Sequence, residues 1–528
     1  MSYLTPATSS HQSSDRNGQG ATSGYITDKS QRHWYASFSC YADQTWPTGN
    51  SLHTAPIHNL DDDALLHVFY LYCPFLLGED EEDEARLIGG TRNCDRGRWW
   101  YELVHVCQRW RNVILGSASY LGLSLVCTHG TPVADMLAYS PPLPLVVDFF
   151  NQNHEITTED KDGAILALKQ RDRIHRVRLL IPVTGLQKII AAMDKEYPIL
   201  KYLIIGPPVK DRTHRSTILT LPETLQAPHL RHLTLIGFAL PIGSRLLTTA
   251  VGLVTLCLFM NDTSTYFHPN VLLRWLSFMP QLETLLTLFS FTIPNRDIEG
   301  QLTHMPIITP VTLPNLHRFF FLGVSAYLEA LIDRITAPRL EKLDIDFFHQ
   351  PMFSVPRLLQ FLSTREDLQF ERAKFWFDDE RVYVEVYPCG ESETYALSIN
   401  VDFCHLDWQV TSMAQISDSL SQLFSAVEHL ALEHKMHSQS SEEHNEVDRT
   451  EWRKLLRSFG NVKTLRIDDG LVEQLSRCLR LDDRELPLEL LPELHELTYS
   501  GSGKSGDAFT SFINARQDAG RPITLVHL

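Results

Sequence analysis

The sequence predicts an α/β protein: a short N-terminal helical domain followed by a solenoid with parallel strands on one face and helices on the other. Three observations carry this expectation. Nine short apolar strand signatures recur from about Ile174 onward, helical spacings fill the intervals between them, and two amphipathic helix-length stretches precede the series. At 528 residues the chain is also too long for one small core.

Residues 1–50 are rich in Ser, Thr, Gln, Gly and Asn without sustained hydrophobic period, and are expected to form a disordered tail. Residues 51–126 then read as a helical domain, interrupted at about 77–98 by an acidic, glycine-spotted insert. In the stretch Leu60 to Tyr72, Leu65, Val68, Phe69 and Tyr72 fall at i, i+3, i+4 and i+7. Asp61 is placed to cap this helix, Asp62 and Asp63 set negative charge against its dipole, Leu60 and Leu65 suit a hydrophobic staple, and Pro74 ends it. A second helix is expected from about Trp100 through Ile114, with Leu103, Val106, Cys107 and Trp110 repeating the spacing and Gly116 as its stop. Two helices this short cannot bury both stripes alone, so the pair packs on the rest of the chain or presents a face to a partner.

Residues 127–528 carry the repeats. The unit is an apolar residue, two others, an apolar residue, one other, and a third apolar residue. Its copies are Ile174/Val177/Leu179, Leu200/Leu203/Ile205, Leu230/Leu233/Leu235, Leu253/Leu256/Leu258, Leu316/Phe319/Phe321, Leu340/Leu343/Ile345, Val427/Leu430/Leu432, Val462/Leu465/Ile467 and Leu494/Leu497/Tyr499. Val271 to Phe278, Tyr327 to Ile335, Leu358 to Leu362 and Trp452 to Phe459 show helical spacing between copies. Asn261 follows one copy where a leucine-rich repeat places an asparagine that turns the chain out of the strand through side-chain hydrogen bonds to backbone. Most copies lack it, so the array is leucine-rich-repeat-like and irregular. At about 372–410 the period fails, and Lys374 to Phe377, Val382 to Tyr387 and Tyr395 to Val401 read as antiparallel hairpins inserted in the array, a place to look for recognition.

Composition narrows the function. A formal charge of −17 argues against nucleic acid as a partner, because phosphate binding needs clustered Lys and Arg. The nine cysteines form no CxxC pair and read as reduced core thiols. The N-terminal residues lack a basic region followed by an apolar core and no uncharged apolar run is long enough to span a bilayer, so no membrane association and a cytosolic or nuclear location are expected. Tyr499-Ser-Gly-Ser-Gly-Lys-Ser505 has only the last part of a phosphate-binding loop, with Thr498 where the first glycine belongs, and reads as a turn. His434, His437 and His444 lack the partners or spacing of a metal site. No catalytic residue, metal or cofactor is proposed, and the protein is expected not to be an enzyme.

Leu60-Asp-Asp-Asp-Ala-Leu-Leu-His-Val-Phe69, followed by Leu103-Val-His-Val-Cys-Gln-Arg-Trp-Arg-Asn112, resembles an F-box. Leu60, Leu65, Val68, Phe69, Val106, Cys107, Trp110 and Arg111 stand where that family places its characteristic residues. Asp61 replaces the usual Pro, and the insert is long. The insert, Trp100-Tyr-Glu-Leu-Val-His-Val-Cys107, Tyr120-Leu-Gly-Leu-Ser-Leu-Val-Cys-Thr128 and Leu406-Asp-Trp-Gln-Val410 are similar to the large F-box families of mushroom-forming fungi. The resemblance implies a substrate-recognition subunit of a cullin-RING ubiquitin ligase. Its helices would dock the small adaptor subunit through Leu60, Leu65, Val68, Phe69, Leu103, Val106, Cys107, Trp110 and Arg111, and its repeats would bind the protein to be ubiquitinated. Phe69→Asp is then expected to abolish adaptor capture with the repeats still folded. The alternative is a protein-binding scaffold outside any ligase, whose two helices only cap the solenoid.

Overall fold

Leu203 pairs in register with Val177 on one side and Leu233 on the other, and this column of apolar residues runs on through sixteen strands. The computed structural model describes residues 60–72, 98–150, 156–208, 218–290, 310–348, 350, 352–363, 369–390, 394–403, 405–435, 449–480, 490–499 and 508–527. The tail at 1–50, Pro74, nearly all of the acidic insert, His437, His444 and the Ser500–Ser505 turn lie outside them.

The strands of the large sheet are β1 Leu125–Cys127, β2 Leu145–Phe150, β3 Ile174–Leu180, β4 Tyr202–Gly206, β5 His232–Ile236, β6 Thr255–Met260, β7 Thr284–Phe289 and β8 Arg318–Gly323. They continue as β9 Lys342–Phe347, β10 Phe370–Asp378, β11 Arg381–Pro388, β12 Leu397–Asp402, β13 His429–Lys435, β14 Thr464–Ile467, β15 Glu496–Tyr499 and β16 Thr524–His527. Strands β1 to β9 are neighbours in chain order, then come β12, β11 and β10, and then β13 to β16. Among the described residues every pairing is parallel except the two that β11 makes. Two short parallel pairs lie apart, Leu219–Thr220 with Phe238–Ala239 and Val311–Thr312 with Ile335–Thr336.

Parallel neighbours need a crossover, and helices supply most of them. The first helices among the described residues are α1 Asp62–Tyr72, α2 Trp99–Leu103 and α3 Gln108–Gly116. Alternating with the strands come α4 Val133–Tyr139, α5 Thr158–Leu168, α6 Val183–Ala191, α7 Arg245–Thr249, α8 Pro269–Leu276, α9 Ser325–Ile332, α10 Pro356–Ser363, α11 Leu406–Ser419, α12 Ser421–Phe424, α13 Arg449–Arg457, α14 Asp469–Leu479 and α15 Thr510–Asp518. The apolar sides of these helices and one face of the sheet form one continuous buried cluster, from Leu65 to Ile523. It contains Val177, Leu203, Leu233, Leu256, Leu285 and Phe319 of the shared column, and the column becomes exposed only at Leu525 on the terminal strand. Residues of the opposite face, including Cys257, Leu286 and Leu288, form a separate cluster. Period-2 alternation sends neighbouring side chains to opposite faces, which is why one strand serves both.

The second and third residues of all nine sequence signatures lie on strands of the large sheet, and the first lies just before the strand in every copy but Ile174. Four strands escaped the pattern. In β7 Thr287 stands in the third apolar position, fully buried, and in β2, where Val147 and Phe149 fill the second and third, the exposed Pro144 stands in the first; β1 is short, and β16 pairs on one side only. The 372–410 segment forms the expected antiparallel strands within the array, β10 with β11 and β11 with β12; β12 also pairs with β9 and β10 with β13, so the meander continues the sheet. Asp378 accepts the N–H groups of Glu380 and Arg381, both at 2.8 Å, and so closes the tight turn that reverses the chain. Gln409, fully buried at the start of α11, then donates to the carbonyls of Asp378 at 2.7 Å and Phe403 at 2.8 Å, tying the ends of β10 and β12 together. This gives the Leu406–Val410 segment a packing role.

Asn261 does not act as expected. It is exposed and lies against Gly237, the left-handed residue (φ +73°) that follows the neighbouring strand β5, and the chain leaves β6 through Asp262, which accepts the Ser264 N–H at 2.8 Å.

Candidate docking site

Asp61 opens α1 as the sequence indicates, accepting the Ala64 N–H at 2.7 Å. From there α1 has two apolar sides. Leu65 and Phe69 point inward, at 0% and 2% exposure, and the Phe69 ring meets Trp110 edge-on at 5.0 Å. Val68, Leu71 and Tyr72 point outward, at 44%, 69% and 63% exposure.

The second helix is broken where the sequence suggested continuity. Between α2 and α3 the chain turns, and Cys107 is extended, with its sulfur accepting the Trp110 N–H at 3.5 Å as the cap of α3. Leu103, Val106, Cys107 and Trp110 are therefore not one helical stripe. Val106 is exposed at 58%, whereas Leu103, Cys107, Trp110 and Arg111 are half-buried. Arg111 donates to the Val104 carbonyl at 3.0 Å, which closes the turn, and Arg109 pairs with Asp62 at 2.8 Å and reaches the Leu60 carbonyl, pinning α3 to the start of α1. Gly116 ends α3 inside the helix, and the left-handed residue comes later, at Gly122 with φ +60°.

Of the nine residues expected to dock a partner, Val68 and Val106 are thus exposed and Leu65 and Phe69 are internal. Leu60, Leu103, Cys107, Trp110 and Arg111 lie between. Burial of Phe69 also means that Phe69→Asp would disturb the packing of α1 on α3 itself, so loss of capture by that variant would not by itself report a contact with the partner. Leu71 was missed; its place at i+3 from Val68 was the available signal. The helices are fixed to the first strand of the sheet by Trp100, 1% exposed, whose indole N–H donates to the Ser124 carbonyl at 3.3 Å just before β1. The boundary drawn at 126/127 falls inside β1.

The second candidate surface is the face of the sheet away from the buried helix cluster, which sequence reasoning did not assemble. At one end Arg178 and Asp148, opposite each other on β3 and β2, form a bidentate pair at 2.7 and 2.8 Å, with Phe150 beneath the guanidinium. Beside it Arg176 lies over Tyr202, which stacks on His232 at 4.4 Å. Burial, with Arg231 and Arg176 nearby, pushes the His232 pKa down to about 4. The apolar cluster of Cys257, Leu286 and Leu288 comes next, rimmed by the half-buried Phe259, Phe320 and Leu322. Beyond it lie carboxylates and aromatic rings: Asp344, Asp346, Glu385 and Glu433 with Trp376, Tyr383 and Tyr387.

Burial pushes the pKa of Asp346 up to about 6, against the lowering effect of its hydrogen bond with Asn400 and with Asp402 and Asp344 adding to the rise. A carboxyl whose folded pKa exceeds its unfolded one stabilises the fold fully below about pH 4, and that contribution is lost as pH rises through the folded value. Asp346→Asn should therefore gain thermal stability relative to the native chain as pH climbs from about 4 to above 6. Unfolding temperatures measured in parallel over that range check this, and a gap that narrows would refute it.

Among the described residues no group of three His, Cys, Asp or Glu side chains could hold a metal ion, and no helix is long and apolar enough to cross a membrane. Neither a family model nor a curated protein matches this chain.

Proposed function

We propose that the protein is a substrate-recognition subunit of a cullin-RING ubiquitin ligase, an F-box-like helical module joined to a leucine-rich-repeat-like solenoid. The module docks the small adaptor subunit, and the open face of the sheet binds the target protein. The chemistry belongs to other subunits, and this chain acts by binding. The observation that carries the reading is the outward side of α1: Val68, Leu71 and Tyr72 form a helical stripe of large apolar side chains left to solvent, with Val106 also exposed in the turn before α3. A surface helix with an apolar side on each of two faces is suited to two neighbours. Leu65 and Phe69 serve the neighbour within the chain, and Val68, Leu71 and Tyr72 the one outside it.

Burying a Val or Leu side chain contributes about 1.5 to 3 kcal/mol. Val68→Asp should weaken adaptor binding by roughly 10- to 100-fold, with the unfolding temperature unchanged because the side chain already faces water. Pull-down with purified adaptor decides it. Native-like capture by Val68→Asp and by Leu71→Asp would leave the outer stripe without this role and favour helices that only cap the sheet.

A further inference from the structure

On the open face of the sheet two apolar rows end on carboxylates. In one row Phe259, Leu288 and Leu322 are register neighbours on β6, β7 and β8, and the next residue, on β9, is Asp346. In the other, Cys257, Leu286 and Phe320 lead to Asp344. The two carboxylates differ in what balances them. Asp344 has the ammonium of Lys342 at 3.7 Å, and Lys342 also lies over the Tyr395 ring at 4.5 Å. Further along, Lys374 is held by Glu433 at 2.8 Å and by the Trp376 ring at 4.0 Å. Asp346 has no ion pair among the described residues; the carboxylates of Asp402 and Asp344 act against its charge, and the Arg381 guanidinium acts for it at longer range. Its partner is Asn400, opposite it on β12, whose buried side-chain oxygen has no hydrogen-bond donor.

We propose that this junction takes an extended segment of the target protein in which a lysine or arginine lies about three residues from a large apolar side chain. The apolar group would lie over the buried Leu288, between the half-buried Phe259 and Leu322, and the cation would sit between the Asp346 carboxylate and the Asn400 oxygen, supplying the charge to one and the donor to the other. The spacing follows from the sheet. Leu288 and Asp346 are two strands apart, about 10 Å, and a chain extended in the polyproline-II form advances about 9 Å in three residues, one full turn, which returns the side chain to the same side. A polypeptide crossing the strands presents both groups at that interval. The proposal deepens the reading of this face as the target-binding surface and rests on it.

The test is a random peptide library selected on the immobilised full-length chain with no adaptor present. Enriched sequences should pair Lys or Arg with Leu, Ile, Met, Phe or Trp at that separation. A synthetic consensus peptide should lose at least tenfold in affinity when its cation is replaced by Glu, and Asp346→Lys should reverse that preference. Asp346→Asn, which preserves shape, should erase it, so the proposal stays testable if the lysine variant does not fold. Absence of an enriched set, enrichment without a basic residue, or a preference untouched by both Asp346 variants would overturn it. Because the adaptor is absent, failure here is independent of the Val68→Asp result, and failure of adaptor docking leaves the selection unaffected.

Discussion

Phe69→Ala should cost about 3 to 5 kcal/mol of stability, although its neighbour Val68 can be made charged at little cost. Phe69 is 2% exposed on the inner side of α1, and its ring sits edge-on to Trp110 at 5.0 Å. Removing it deletes the apolar transfer contribution and leaves a void between two short helices. Neither helix has enough other contact to close that void, since α1 is 11 residues and α3 is 9. The loss should be local first. Limited proteolysis should show cleavage within residues 60–116 under conditions where the sheet stays intact, and denaturant titration should show an early transition missing from the native chain. Val68→Asp should show neither. Equal stability of the two variants would mean that the inner side of α1 does not hold the module together.

That contrast marks how far the sequence could be read. The period of 3.6 placed Leu65, Val68, Phe69 and Tyr72 on one helix, and α1 spans them. The same pattern did not say which of adjacent residues faces the protein, because Val68 and Phe69 are about 100° apart on the helix and each lies within a wide apolar stripe. For the second stripe the pattern misled. Leu103 and Trp110 fit a helical repeat, but the chain turns between them and Cys107 caps a new helix. Cysteine is an uncommon cap, so local composition gave no warning.

The sheet was more legible on one face than on the other. Residues such as Leu203, Leu233 and Leu256 recur because every parallel strand must present the same column to the same helices. Nothing repeats on the open face, where Arg178, Thr234, Cys257, Leu286, Phe320 and Asp344 occupy equivalent places on their strands, so its chemistry emerges only once the register is known. The meander was legible as strands but not as sheet. Pairing β12 with β9 and β10 with β13 is a long-range choice that local alternation does not encode.

The ion pair at the other end of that face should produce the second large effect. Asp148 and Arg178 are 8% and 6% exposed, directly opposite on β2 and β3, and joined by two hydrogen bonds of 2.8 and 2.7 Å. Desolvating both charges is costly, and their mutual attraction offsets this only while both are present. Asp148→Ala should therefore destabilise by about 3 to 5 kcal/mol, since it strands a guanidinium over Phe150 with no carboxylate to answer it. Arg178→Met should do similar harm from the other side. Replacing both, as Asp148→Leu with Arg178→Met, should restore stability to near the native value, because apolar side chains of comparable size suit a site beside the Phe150 and Leu180 pair on the same face. A double-mutant cycle by chemical denaturation measures the coupling. Single variants that each cost under about 1 kcal/mol would show that water reaches the pair and that it is a surface contact. A double variant no better than the worse single one would assign the pair a different task, fixing the register of β2 against β3, where the pairing already shifts between Leu145 and Val146.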